Sequence, residues 1–337
     1  MLLHEHLEKG AEKKPNFSFS EFEKKSLSYH EANLLSNKLA NKLVDEGLQV
    51  GDRFAFLAKN CTEMAVMYYA ASKVGVVPVP LNYRLADQEW SYIINDSKAK
   101  LIIVKGNEYA NRINMIKSEL LDVKKYVSIE LEEPINDFSD FYNWISDSSE
   151  TKPTRNVIED DDVYQMYTSG TTGHPKGAIL LQRNVAANIR QYLDRLTLPN
   201  PSRTLLVAPM YHAAAMINMC GCIALGGTIV IQEDFIPQNV VDCLANEKIT
   251  HTVLVPAMIQ ACLVSVPNVE SNDYNDLDQI HYGASPIAPE TLKRAMDVFK
   301  CKFGQGFGMT ETVAVICLMT PEEHIKALNE KPELLKS

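Results

Sequence analysis

The chain has 337 residues, is 46% hydrophobic and 23% charged, and carries 43 acidic against 33 basic side chains for a net charge of −10. Such a composition supports one large layered core or two smaller ones and excludes disorder as the main state. No block of lysine and arginine offsets the negative balance, so a long polyanion such as DNA or RNA is repelled, while a compact anion held in one local pocket is compatible. The seven cysteines are odd in number, spread through apolar context and without a C-x-x-C pair, as expected of a reducing compartment. MLLHEHLEKGAEKK is not a basic start followed by an apolar run, and no apolar stretch reaches the ~20 residues of a membrane helix. The expectation is a cytoplasmic protein without an integral membrane segment.

In chain order, Ser28 and Glu31 form a capping-box pair, and Leu35, Leu39 and Leu43 then recur every four residues until Gly47 closes the helix. RFAFLA from Arg53 reads as a strand, Asn60 as the cap of a helix CTEMAVMYYAASKVG, and VVPVPL, LIIV from Leu101 and YVSI from Tyr126 as further strands. The polar stretch 146–162 has the composition of a linker. Beyond it the rhythm resumes with TLLVAP, TIVIQ, HTVLVP and QIHYGA, each separated by a helical length. Strands apolar on both faces indicate parallel sheets covered by helices. A first unit over 1–160, a second over 161–320 and a charged, helix-prone extension over 321–337 are expected.

Three stretches carry chemistry. Tyr167 to Ala178 reads YTSGTTGHPKGA, in which glycines let backbone N–H groups approach an anion and Thr168, Ser169, Thr171 and Thr172 add donors. Lys176 supplies a point charge beside a phosphate. It is not the loop of the P-loop NTPases, because Pro175 stands where the second glycine belongs and Gly177 where the Mg-binding hydroxyl belongs. In GQGFGMTET, from Gly304, an aromatic ring between two glycines can lie against a purine, and Glu311 beside Thr310 suits Mg²⁺. HYGASPIAP, from His281, ends a strand with small residues.

In this order and at these separations, TSGTTGHPKG, YGASP and GFGMTE resemble the adenylate-forming superfamily of acyl-CoA synthetases, carrier-linked adenylation domains and firefly-type luciferases. The resemblance implies an α/β fold of two helix-covered, mostly parallel sheets facing each other across an active-site cleft, as in the large N-terminal domain of such enzymes. It implies that a carboxylic acid attacks ATP to give an acyl-adenylate and pyrophosphate, and that CoA then takes the acyl group.

By the same resemblance, Thr168, Ser169, Gly170, Thr171, Thr172, Gly173 and Lys176 would wrap the β- and γ-phosphates. Tyr282, Gly283, Ala284 and Ser285 would border the adenine, with Gly306, Phe307, Gly308 and Met309 beside it and Phe307 in place of the family's stacking tyrosine. Thr310 would touch the α-phosphate, and Glu311 with Thr172 would ligate Mg²⁺. PMYHAAAM, from Pro209, resembles the acyl-pocket wall, with His212 near the substrate carboxylate; no aspartate stands there for a substrate ammonium, so a plain carboxylic acid is favoured. PLNYRL, from Pro80, resembles the acyl-CoA synthetase branch. His174, His251 and His281 are read as structural, Cys220 and Cys222 as packing around one glycine, and Trp90 and Trp144 as core residues.

The family continues beyond these residues with an aspartate for the ribose, a hinge and a late lysine, so a truncated form is expected. A binding module that holds ATP or an acyl group without turnover, a carrier-linked adenylation domain, and a kinase with a degenerate loop stay open as alternatives. So does a homodimer.

Overall fold

In a computed structural model, residues 1–169 and 173–330 are described. Among the described residues, strands mostly alternate with helices: β1 (Ser18–Phe22), β2 (Lys25–Ser28), β3 (Arg53–Leu57), β4 (Val77–Pro80), β5 (Ala99–Lys105), β6 (Lys125–Ile129), β7 (Phe138–Asp140), β8 (Asp162–Thr168), β9 (Lys176–Leu181), β10 (Arg203–Leu206), β11 (Thr228–Ile231), β12 (His251–Leu254), β13 (Gln279–Gly283), β14 (Lys302–Phe307) and β15 (Cys317–Met319). The fold is α/β, as expected, with two mostly parallel sheets and a separate antiparallel pair β8–β9.

The chain divides into two compact units, Met1–Asn16 with Ser28–Ala186, and Phe17–Leu27 with Ala187–Ser337. The division falls near 186 rather than 160 because the stretch after the acidic segment is tied into the first unit. Arg53 donates from Nη2 to Asp162 Oδ2 at 2.8 Å, and Gln182 donates from Nε2 to Ser72 Oγ at 2.9 Å. The polar stretch is not a free linker either, since Asn37 and Asn41 donate to the carbonyls of Glu150, Ser149 and Thr151.

In the first unit five parallel strands lie in the order β4-β3-β5-β6-β7. The capping box holds as expected: Glu31 N donates to Ser28 Oγ at 3.2 Å and Ser28 N to Glu31 Oε2 at 2.8 Å, starting the helix Tyr29–Asp45. Asn60 does not cap the next helix; Cys61 occupies that position and Thr62–Val74 follows without a side-chain cap. Trp90 and Trp144 are core residues. Trp90 Nε1 donates to Asn82 O at 2.8 Å while the Arg112 guanidinium lies 3.9 Å above its ring, so PLNYRL is a turn clamped by an indole.

In the second unit eight strands run β15-β14-β13-β12-β10-β11-β1-β2. All the pairs from β1 through β11, β10, β12 and β13 to β14 are parallel, and β15 closes the far edge antiparallel to β14. One core joins Leu205, Val240, Ile259, Ile280, Leu292 and Phe303 from the sheet and its helices. Residues 321–329 are not an extension outside this unit. They form the helix Pro321–Asn329, whose fully buried His324 bonds Tyr282 of β13. Residues 331–337 lie outside the described residues.

His251 is fully buried on β12 against Thr204 Oγ1 of β10, and burial pushes its pKa down to about 3. The unfolded chain takes up that proton at the ordinary value near 6.5, so the stability from this residue is full above that pH and declines as pH falls toward the folded value. The decline is about 1.4 kcal/mol per pH unit for each such histidine. The urea midpoint is therefore expected to fall between about pH 7 and pH 5, less so in His251→Asn, and a midpoint that does not move contradicts this account.

Candidate active site

The C-terminal ends of four parallel strands in the second unit converge on one cavity of about 380 Å³. β10 runs out into Ala208 and Pro209, β12 into Val255, β13 into Ala284 and β14 into Gly308, all of which line it. Open α/β sheets characteristically bind ligands at such ends.

Glycines allow the backbone to close there. Tyr282 pairs with Gln305 and Gly283 with Gly306. A Cβ on Gly283 would lie 2.3 Å from Gly306 O, and one on Gly308 would lie 1.3 Å from Ala314 O. After Gly308 the chain makes a short 3₁₀ turn over Thr310–Thr312, in which Thr312 Oγ1 donates to Met309 O at 3.0 Å. It then returns so that Ile316 N donates to Phe307 O at 2.8 Å. Asn188 on the helix Gln182–Arg195 pins the returning segment by donating from Nδ2 to Val315 O at 2.8 Å. Two non-glycine residues here have left-handed backbones, Ala284 at φ 66° and the β-branched Val313 at φ 73°. Strain of this kind is kept where the surroundings over-determine it, and it clusters at functional sites.

Among the residues expected to bind ligand, Tyr282, Gly283, Ala284, Gly306, Phe307, Gly308, Met309, Thr310 and His212 all line this cavity. The Phe307 ring is 61% exposed and so available to a planar ligand. The Tyr282 ring is only 1% exposed, and its hydroxyl is committed. His324 Nδ1 must donate to Thr320 O at 3.1 Å, which leaves Nε2 to accept from Tyr282 Oη at 2.8 Å. His212 is the N-cap residue of the helix Ala213–Ala224, whose first residues Ala213, Ala214 and Ala215 form an apolar wall of the cavity.

Two expected residues are elsewhere. Ser285 and Glu311 are exposed and outside the cavity lining, because the chain has turned away by Ser285 and the 3₁₀ turn directs Glu311 outward. Among the described residues no group of three His, Cys, Asp or Glu side chains could hold a metal.

In the first unit, Thr168 ends β8 and pairs with Lys176 at the start of β9, so the glycine and threonine loop is a hairpin connection. Ser169, Gly173 and Lys176 are exposed, and Gly173 has φ 100°. Tyr167 Oη donates to Asp96 Oδ2 at 2.6 Å and the His174 ring stacks on Tyr92 at 5.0 Å, so the helix Asp87–Asp96 holds both sides of the loop. Gly170, Thr171 and Thr172 lie outside the described residues.

Residues 7–332 match the family model described as AMP-binding enzyme. The chain belongs to the AMP-binding enzyme family. AMP-binding enzymes similar to it include the fatty acid–[acyl-carrier-protein] ligase ScoC of Streptomyces coeruleorubidus, 30% identical over 90% of this chain and 57% of the relative. A feruloyl-CoA synthase of Amycolatopsis sp is 30% identical over 87% and 56%. The chain thus spans a little over half the length of these relatives. Its fold matches the solved N-terminal domain of FACL13 from Mycobacterium tuberculosis, with a TM-score of 0.88 at 26% identity, covering 96% of this chain and 80% of that one. It also matches the anthranilate CoA ligase AuaEII in complex with anthranoyl-AMP, with a TM-score of 0.90 at 20% identity over 95% and 62% of the two chains.

Sequence reasoning missed Tyr192, Asn188 and His324. Asn188 had a signal: it lies on the buried stripe of Val185, Ile189 and Tyr192, where an asparagine needs a partner.

Gly308→Ala puts a methyl group into the Ala314 carbonyl. It is expected to lose about 3 kcal/mol, the upper end for overpacking, read as a lower urea midpoint. A wild-type midpoint would show that the segment has room and that the close approach is not required.

Proposed function

We propose that this chain binds ATP and a carboxylic acid and activates the acid as an acyl-adenylate, for later transfer to the thiol of CoA. The observation that carries this reading is the joining of three separate stretches, YGA, GFGMT and PMYHAAA, in one cavity at the strand ends. A flat aromatic ring, a glycine-edged backbone and an alanine wall together suit an adenine joined to an apolar acyl group.

In the proposed reaction a carboxylate oxygen of the acid attacks the α-phosphorus of ATP. The bond from that phosphorus to the bridging oxygen breaks, and pyrophosphate leaves with the electron pair. A thiolate then attacks the acyl carbon, and AMP leaves. Phe307 stacks on the base, the backbone of Gly283 and Ala284 borders it, and Thr310 donates to the α-phosphate. The carboxylate lies near His212 and the start of the helix Ala213–Ala224, where unpaired N–H groups and the helix dipole favour an anion. The resemblance of their motif assigns Thr168, Ser169 and Lys176 to the outer phosphates, where the Lys176 charge would offset the negative charge that develops.

Magnesium fits this site only as an ion that arrives with the triphosphate, since Mg²⁺ is commonly held by one or two carboxylates plus phosphate oxygens and keeps several waters. Glu311 follows the cavity-lining Thr310 but faces outward, so it would hold such an ion only at the edge of the cavity, where the ion would neutralise charge on the leaving pyrophosphate.

The similarity to ScoC favours a second acceptor, a carrier-protein thiol. Supplying CoA or an acyl-carrier protein to the preformed adenylate distinguishes the two.

Carboxylate-dependent ATP–pyrophosphate exchange, run over short, long and aromatic acids, tests the activation step. Exchange is expected with one class of acid and is expected to fall at least 100-fold, roughly the scale of one lost charge-stabilising donor, in Lys176→Ala. Nucleotide binding without exchange would reduce the chain to a binding module, and ADP as product would indicate a kinase. Phe307→Ala is expected to weaken AMP binding about tenfold by the loss of stacking while Phe307→Tyr retains it, read by calorimetry.

A further inference from the structure

Two polar rings in the cavity wall have no task in the adenylation step. Tyr192 and His281 both line the cavity and are 3% and 4% exposed, among alanine, valine and methionine side chains. Each ring is seated against a glycine. A Cβ on Gly221 would lie 2.9 Å from Tyr192 Cε1, and one on Gly304 would lie 2.8 Å from His281 Cδ2. The glycine between Cys220 and Cys222 and the first glycine of GQGFG therefore make room for these two rings.

Their hydrogen bonds are incompletely matched. Gln279 Nε2 donates to Thr197 O at 2.7 Å, which fixes the amide and turns Oε1 toward His281 Nε2 at 2.9 Å. Nε2 must then carry the hydrogen, and Nδ1 is an acceptor. Burial pushes the His281 pKa down to about 4, so the ring is neutral at physiological pH. Among the described residues the donor near Nδ1 is Tyr192 Oη at 3.5 Å, and the same hydroxyl lies 3.3 Å from Asn218 Oδ1. Both distances are long for a hydroxyl donor, and one hydrogen cannot serve both acceptors. The wall thus offers a ligand one buried acceptor and one phenol, besides His212 and Thr310, in a mostly apolar lining.

We propose that Tyr192 and His281 form a recognition pair for a hydroxyl group on the acyl part of the substrate, so that the preferred acid is a compact hydroxy acid rather than a plain alkyl acid. The substrate hydroxyl donates to His281 Nδ1 and accepts from Tyr192 Oη, which gives His281 a close donor in exchange for the long Tyr192 contact to Asn218 Oδ1. A cavity of about 380 Å³ is near the lower end for small-molecule sites and is shared with the nucleotide, which favours a short or aromatic acid over a long chain. This inference rests on the reading that the cavity holds an acyl-adenylate. A site with a buried hydrogen-bonding group discriminates strongly against an analogue that leaves it unpaired.

The test uses non-hydrolysable acyl-adenylate sulfamates in matched pairs, 4-hydroxycinnamoyl against cinnamoyl and 6-hydroxyhexanoyl against hexanoyl, titrated calorimetrically into this chain. Within at least one pair the hydroxylated compound is expected to bind at least about tenfold more tightly. That ratio is expected to approach one in Tyr192→Phe. It should also do so in His281→Gln, whose amide reaches the Nε2 position and keeps the bond to Gln279 while deleting Nδ1. Equal binding within both pairs, or a ratio unchanged in both variants, overturns the recognition pair and leaves the proposed function standing. Failure of every sulfamate to bind overturns the proposed function and this inference with it.

Discussion

The second unit depends on the absence of side chains where β13 and β14 end. Gly283 faces the carbonyl of Gly306 and Gly308 faces the carbonyl of Ala314, at distances that no Cβ tolerates. Only because these positions are bare can the strands stay paired to their last residues and the chain fold back over 309–316 within hydrogen-bonding reach of Phe307. That return closes one side of the cavity with Ala314 and Val315 and leaves the Phe307 ring outside the core. The strained backbones of Ala284 and Val313 flank the same closure, held by Asn188 from one side and by the helix carrying His324 from the other.

The polar groups around this closure are arranged by packing. Tyr282 cannot turn its hydroxyl into the cavity because His324, its tautomer set by Thr320, already accepts from it. Phe307, one strand over, has no such anchor and presents a ring where a planar ligand can meet it. The alanines of 213–215 leave space where larger side chains would fill the cavity, and His212 sits where the helix dipole supports an anion. Each follows from where a strand or helix ends, which is why the stretches are far apart in the chain and adjacent in the fold.

Much of this was legible in the sequence. Apolar strands alternating with helical lengths specified parallel sheets, because a strand covered on both faces has no polar alternation to show. YGA and GFGMT were weak signals taken singly and became legible through their resemblance, in order and separation with the glycine and threonine loop, to the family's motifs. Less visible were features that depend on tertiary partners. The hairpin Ser18–Phe22 and Lys25–Ser28 joins the sheet of the second unit through β11, a pairing across some two hundred residues that local pattern does not encode. Asn60 looked like a cap but lies one residue early, with Cys61 in its place. Glu311 and Ser285 were assigned to the site by the family resemblance, whereas the turn at Thr310 and the left-handed Ala284 leave both exposed and outside the cavity lining. His281 was read as structural, and its pairing with Tyr192 needed the helix Gln182–Arg195 to be set against β13.

The most direct test of the central claim is a crystal structure of this chain with a non-hydrolysable acyl-adenylate sulfamate. The account predicts the adenine against the Phe307 ring and the backbone of Gly283 and Ala284, with the acyl group along Ala213–Ala215 and the linking sulfamate beside Thr310 and His212. A ligand bound elsewhere, or one that leaves Phe307 and the alanine wall uncontacted, would contradict it.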